Sequence, residues 1–222
     1  MSGINFYNTS ESIAYNNKIY NNIAFGIAIG TTSREITVFN NTIKTNNNYG
    51  VRIFGVVNIT VNQNKISSNY NPGIFLRNSQ SCNITANTIY LNSKGIHIEN
   101  SYFSLVADNF IENNDGTGIY FQGTNNNNTL SNNTIANNME YGVILQHGTE
   151  DNKIEYNVFL NNTNYAIYLH SSSVDSLIIW NDFIDNNLGG YSQAYDSGSG
   201  NNFTYNYWDD WNAPDTNYDG YV

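Results

Sequence analysis

A six-residue phrase, Asn-x-apolar-x-x-Asn, returns along the whole chain and limits the folds open to it more than any other feature. It reads NKIYNN, NTIKTN, NKISSN, NTIYLN, NFIENN, NTIANN, NVFLNN and NDFIDN, with a last variant NYWDDW, and its first Asn falls at 17, 41, 64, 87, 109, 133, 157, 181 and 206. The spacing is 22–25 residues. A second phrase, Gly-apolar-x-apolar, starts at 3, 26, 50, 73, 95, 118 and 142, becomes AIYL at 166, and is expected to degrade at Gly190. A third apolar position (Val38, Val61, Ile84, Val106, Leu130, Ile154, Ile178, Phe203) lies three residues before the repeat Asn. Self-similarity at such a period marks a solenoid or array.

Each repeat holds three short stretches with apolar residues at every second position, the signature of strands. None is long enough for a helix. Asn-Gly, the strongest signal for a two-residue hairpin, is absent although the chain has 45 Asn and 17 Gly. Three short strands per repeat without hairpins describe a coil, each strand pairing in parallel with its equivalent in the next. The expectation is an all-β, single-stranded, right-handed parallel β-helix of about nine coils over residues 1–211, with an acidic tail at 212–222. At about 4.8 Å per strand spacing the rod is about 40 Å long. The repeated Asn are expected at left-handed strand corners, their amides bonding to the equivalent Asn above and below. Coil length varies between the Gly strand and the next repeat Asn, so insertions are expected after the Gly strand.

Composition narrows the partners. Only 12% of residues are charged while 40% are apolar, and the net charge is -10. This balance argues against binding to a phosphate backbone, which needs clustered Lys and Arg. One cysteine, Cys82, excludes an internal disulfide. No run of 18 apolar residues spans a membrane, and the opening MSGINFYNTS shows no leader pattern. Eight Asn-x-Ser/Thr sites occur, at Asn8, Asn40, Asn58, Asn83, Asn127, Asn132, Asn161 and Asn202. Roughly seven are expected by chance from so many Asn, so they carry no weight.

The phrases GIHIENS and NTIYLN resemble repeats of the NosD-like, or carbohydrate-binding and sugar-hydrolysis, superfamily. The stretch QAYDSGSGNNFTYNYWDDWNAPDTNYDGYV resembles the closing coil of its cell-surface members. The resemblance covers residues 3 to 211. It implies an extracellular β-helix but no single activity, since the superfamily includes lyases, hydrolases, epimerases and non-enzymatic surface proteins.

If the Gly strand buries its first and third apolar residues, two rows face outward. They are Asn5, Ala28, Arg52, Phe75, His97, Tyr120, Ile144, Tyr168, and then Tyr7, Gly30, Phe54, Arg77, Glu99, Gln122, Gln146, His170, with Phe25, Tyr49, Tyr141 and Tyr165 just before the Gly. Tyr120, Gln122, Tyr141, Gln146, Tyr165, Tyr168 and His170 form a candidate glycan surface, rings stacking on sugars and amides bonding hydroxyls. Arg77, His97 and Glu99 are the candidates for acid–base chemistry. Glycosidases need two carboxyls about 5–10 Å apart, and Glu99 stands alone in these rows. The Asp-Pro-His-Asp signature of uronate epimerases, which the resemblance brings to mind, is also absent. The balance favours a module without catalysis.

Two metal sites are expectations. His147 and His170, in consecutive coils, offer two nitrogens to copper or zinc. In DTNYDG, Asp215, Asn217 and Asp219 occupy positions 1, 3 and 5 of a calcium loop, Gly220 the turn, and Tyr221 the carbonyl position, with Asp209 or Asp210 as added ligands. The functional expectation is an extracellular or cell-surface module, structural or adhesive, binding a polysaccharide or surface glycan and stabilised by calcium. The alternatives are a polysaccharide lyase, hydrolase or epimerase, and a subunit stacking end to end. An open coil end exposes unpaired strand edges, which a stacked copy or a larger parent chain would cover.

Overall fold

In the computed structural model, which describes residues 1–190 and 192–210, the chain winds into a three-sided parallel β-solenoid. No helix occurs among the described residues. Each of three sheets has nine parallel strands. The first sheet runs from Ile4–Phe6 to Ala194–Asp196, the second from Ile13–Tyr15 to Asn202–Thr204, the third from Lys18–Tyr20 to Tyr207–Trp208. Registers are unbroken, as in Val51, Ile74, Ile96 and Ile119 of the first sheet. The inward columns form one core, with Ile43, Ile66, Ile89, Ile111 and Ile135 stacked from the third sheet and fully buried.

The Gly column is fixed by contact. A Cβ on Gly26 would stand 2.5 Å from Ile43 Cγ2 and 2.6 Å from the Gly50 carbonyl oxygen. The chain turns into the first sheet too tightly there for a side chain on the core side.

Two buried asparagine ladders line two corners. One runs from Asn17 to Asn206, each Nδ2 donating to the Oδ1 of its equivalent in the next coil. The other runs from Asn22 to Asn186 and ends on Gln193. The left-handed corner residue is not the ladder Asn, as expected above, but the residue before it: Asn40 (φ 54°), Ala86 (φ 53°) and Trp180 (φ 57°) precede Asn41, Asn87 and Asn181. Its side chain points outward, so the site accepts any residue. The next residue turns inward and must satisfy the backbone groups that the corner frees. A third, mixed ladder steps through Cys82, Ser104, Asn128 and Asn152 at the remaining corner.

The last coil departs from the expected register. Ile167 pairs with Ala194, so the Gly-strand phrase begins at Gln193 rather than Gly190. The extra length of this coil falls before the strand, where 187–190 form a turn, and not after it. Gln193 holds the corner because its amide takes the next place in the Asn ladder.

Candidate functional site

The two outward rows of the first sheet are in register as expected: Arg52, Phe75, His97 and Tyr120 align, and so do Phe54, Arg77, Glu99 and Gln122. The face is more closed than a simple outward row. Ala28, Phe75 and Ile144 are buried, and Tyr49, the residue before Gly50, stacks on Phe75. The result is an aromatic column. Phe25 stacks on Tyr49 at 5.7 Å and Tyr49 on Phe75 at 4.6 Å; Phe75 meets His97 at 5.0 Å and His97 meets Tyr120 at 4.9 Å. Beyond Ile144 a second cluster forms from Tyr141, Tyr165, Tyr168 and Tyr195, with Tyr168 stacked on Tyr195 at 5.3 Å. Tyr120 donates its hydroxyl to Gln146 Oε1 of the next coil at 2.9 Å.

Three cations edge the column. The Arg52 guanidinium lies 4.7 Å from the Phe54 ring centre and 5.3 Å from Phe25, and Lys94 Nζ lies 5.5 Å from Tyr120. Arg77 Nε sits 3.2 Å from Glu99 Oε1, an ion pair whose N–H is not aimed at the carboxylate, so Nε makes no hydrogen bond. Beside this pair the corner opens into a cleft of about 380 Å³ between Gly55, Asn78, Gln80, Asn100 and Tyr102.

His97 sits between two rings. Burial is the main cause that pushes its pKa down to about 4, with Lys94 and then Arg77 adding to it and Gln122 opposing. The imidazole is neutral at physiological pH. Its Nε2 is enclosed and has no hydrogen-bond partner. A general base must reach the proton it removes, and in this arrangement His97 does not reach the surface through that nitrogen. Burial, followed by Glu99, raises the Tyr120 hydroxyl above its ordinary value, and burial also raises Tyr141. Both are neutral donors.

Of the sequence candidates, Arg77, His97, Glu99, Tyr120 and Gln122 come together, and Tyr141, Tyr165 and Tyr168 form a second group. Tyr195 and Lys94 escaped the reading. Lys94 precedes Gly95 and therefore shares the column of Phe25, Tyr49, Tyr141 and Tyr165; Tyr195 was hidden by the register of the last coil. His147 and His170 face each other at 5.6 Å, and His170 Nδ1 is 2.9 Å from Ser172 Oγ. Among the described residues no three His, Cys, Asp or Glu side chains group as metal ligands. Asp209 and Asp210 both accept from Gln193 Nε2, at 2.6 and 2.9 Å, and so close the Asn ladder. Asp215, Asn217, Asp219 and Tyr221 lie outside the described residues.

The fold and this face define a class: parallel β-helices with an outward aromatic strip. The sequence matches a family model described as right handed beta helix region, over residues 2–150 and again over 50–207, and the chain belongs to that family. No curated protein matches it at a significant level. Among solved structures it is similar to the periplasmic alginate epimerase AlgG, with TM-score 0.72 and 19% identity over 80% of this chain and 45% of that one. It is likewise similar to the A-module of mannuronan C-5 epimerase AlgE6 from Azotobacter vinelandii, with TM-score 0.74 and 17% identity over 85% and 57%. An alginate lyase from Paenibacillus sp. str. FPU-7 aligns with TM-score 0.66 and 12% identity over 86% and 76%. The chain spans about half the length of the two epimerase structures. At these identities the likeness is one of fold.

Proposed function

We propose that this chain is an extracellular or cell-surface β-helix module that binds an acidic polysaccharide along its first sheet. One observation carries the reading: Arg52, Arg77 and Lys94 edge a continuous aromatic column in a chain whose net charge is -10. Half-buried Tyr rings stack on sugar faces, and the cations pair with carboxylates spaced along a polymer. The similar folds named for alginate epimerases and an alginate lyase agree with a substrate of this kind. Membership of the NosD-like group and an adhesive role belong to the same proposal.

A panel of immobilised polysaccharides tests it. Alginate or polygalacturonate should be retained and a neutral glucan should not. Arg77→Gln and Lys94→Gln should each weaken retention by about three- to tenfold, as expected for losing one charge-assisted contact. Equal binding of neutral and acidic polymers would refute the charge-based reading.

The calcium loop at Asp215, Asn217, Asp219 and Tyr221 is part of the proposal. Calcium should raise the melting temperature of the wild type, and Asp215→Ala with Asp219→Ala should abolish that shift. An enzymatic reading has one favourable feature, the neutral His97 beside Tyr120. Its enclosed Nε2 weighs for binding, and incubation with alginate followed by product analysis separates the two.

A further inference from the structure

Charge is segregated along the rod. Each coil stacks on the one before, so position in the sequence is position on the axis. Residues 1–98 hold seven of the eight Lys and Arg and only two carboxylates, while residues 99–210 hold one Lys and fourteen carboxylates. On the outward face of the third sheet this becomes a pattern. One row carries Lys18 in the first coil, Thr42 in the second, Lys65 in the third, Phe110 in the fifth and Asp182 in the eighth. Lys44 stands two residues along from Thr42 in the same strand. Lys18 and Lys44 flank Thr42 over a recess of about 570 Å³, while Lys65 Nζ lies 5.4 Å from the Tyr90 ring centre. None of the three has a carboxylate: the two ion pairs among the described residues are Arg77–Glu99 and Lys153–Glu155.

The two ends of this face carry opposite charge. A half-turn about the strand direction through the fifth coil lays the face on a copy of itself with the axis reversed. Each row then meets the same row, and the second coil faces the eighth. Asp182 of the copy arrives above Thr42, between Lys18 and Lys44, with the exposed Asp185 beside Lys44. Phe110, 42% exposed, meets its own equivalent on the two-fold axis, and Glu112 of the same strand faces its own equivalent there, the one like-charge contact of the pair. Such a contact is isologous, each residue making the reciprocal pair. We infer that two copies of this chain pair antiparallel through their third sheets, leaving the first-sheet column outward on both sides. The Asp182 carboxyl already has a pKa raised by burial, and two ammonium groups beside it would favour its charged form. A face about 40 Å long and one strand wide is at the low end for a stable pair, so the dimer is weak and sensitive to salt. The pairing does not depend on what the first sheet binds.

Sedimentation velocity on the full chain, over a concentration series at low and high salt, tests this. Dimer should form with concentration at low salt and be lost at high salt. One variant carries Lys18→Glu and Lys44→Glu; a second carries Asp182→Lys and Asp185→Lys. Each alone should be weakened at least about tenfold, because like charges then face each other. An equimolar mixture should recover a heterodimer, because both contacts again join opposite charges. Circular dichroism checks that each variant is folded. A wild type that stays monomeric at low salt, a dimer that neither variant weakens, or a mixture that does not pair would each overturn the inference. So would lysine substitutions that alter only retention on acidic polysaccharide while the wild type is monomeric.

Discussion

Asn133 shows how one residue type holds two coils together. Its Oδ1 accepts from both the backbone N–H and the Nδ2 of Asn109, and its Nδ2 donates to Asn157 Oδ1 and to the Val106 carbonyl. Every polar atom of the amide is used, in a fully buried place. Asn133→Ala strands the Asn109 backbone N–H, takes one partner from Asn109 Nδ2, Asn157 Oδ1 and the Val106 carbonyl, and leaves a cavity between the coils, each unmet group costing about 1–3 kcal/mol. The expected loss is about 3–5 kcal/mol by denaturant unfolding, against less than about 1 kcal/mol for Asn17→Ala at the start of the ladder, where water can take over. His97 gives a second prediction. Its folded pKa of about 4 lies below its ordinary 6.5. Between those values the unfolded chain binds a proton that the folded one refuses. The stabilisation is complete above pH 6.5 and lost as pH falls toward 4. From pH 7 to 5 the wild type should lose about 2 kcal/mol more than His97→Phe, which keeps the ring contacts but cannot titrate. Equal losses would refute the burial of a neutral imidazole.

At the scale of the strand and its corner, the Gly positions separate two constraints. At Gly118 an added Cβ lies 2.7 Å from both the Gly142 carbonyl oxygen and Ile135 Cγ2, so two coils must part. At Gly148 nothing lies within 4 Å, and only φ +84° opposes a side chain. Gly118→Ala should cost about 2–4 kcal/mol, as overpacking does, and Gly148→Ala about 1 kcal/mol. Thermal unfolding of the two variants checks the order. The same elements show what was legible in the sequence. Strands and core columns were readable because apolar residues alternate in every coil, and a one-residue slip would expose them all. The left-handed corner was assigned to the wrong residue because Asn is common at both positions; Ala86 and Trp180 at corners show that only the following site demands an amide. The Cys82–Ser104–Asn128 ladder was invisible because its residue type changes from coil to coil. In the candidate site the rows were legible from register alone. The rings closing over Phe75 were not, since side-chain rotation leaves no trace in spacing.

For the whole molecule, stability is a sum over coils and their interfaces, because each coil touches only its neighbours. The fifth coil, with Ile96, Val106 and Ile111, has fully buried core residues and a partner on both faces. The first coil is paired on one face alone, and its Ile13 and Ile23 are 61% and 79% exposed. Opening therefore begins there and moves along the axis, since removing one coil makes the next a terminus. Native-state hydrogen exchange should find amides of Ile13–Tyr15 and Lys18–Tyr20 opening at free energies several kcal/mol below those of Leu105–Ala107 and Phe110–Glu112. Asn133→Ala should do more than lower the total. By weakening an interior interface it should let the coils on its two sides exchange with different free energies, where the wild-type interior exchanges as one unit. Uniform protection from the first coil to the fifth would contradict a stack of nearest-neighbour interfaces.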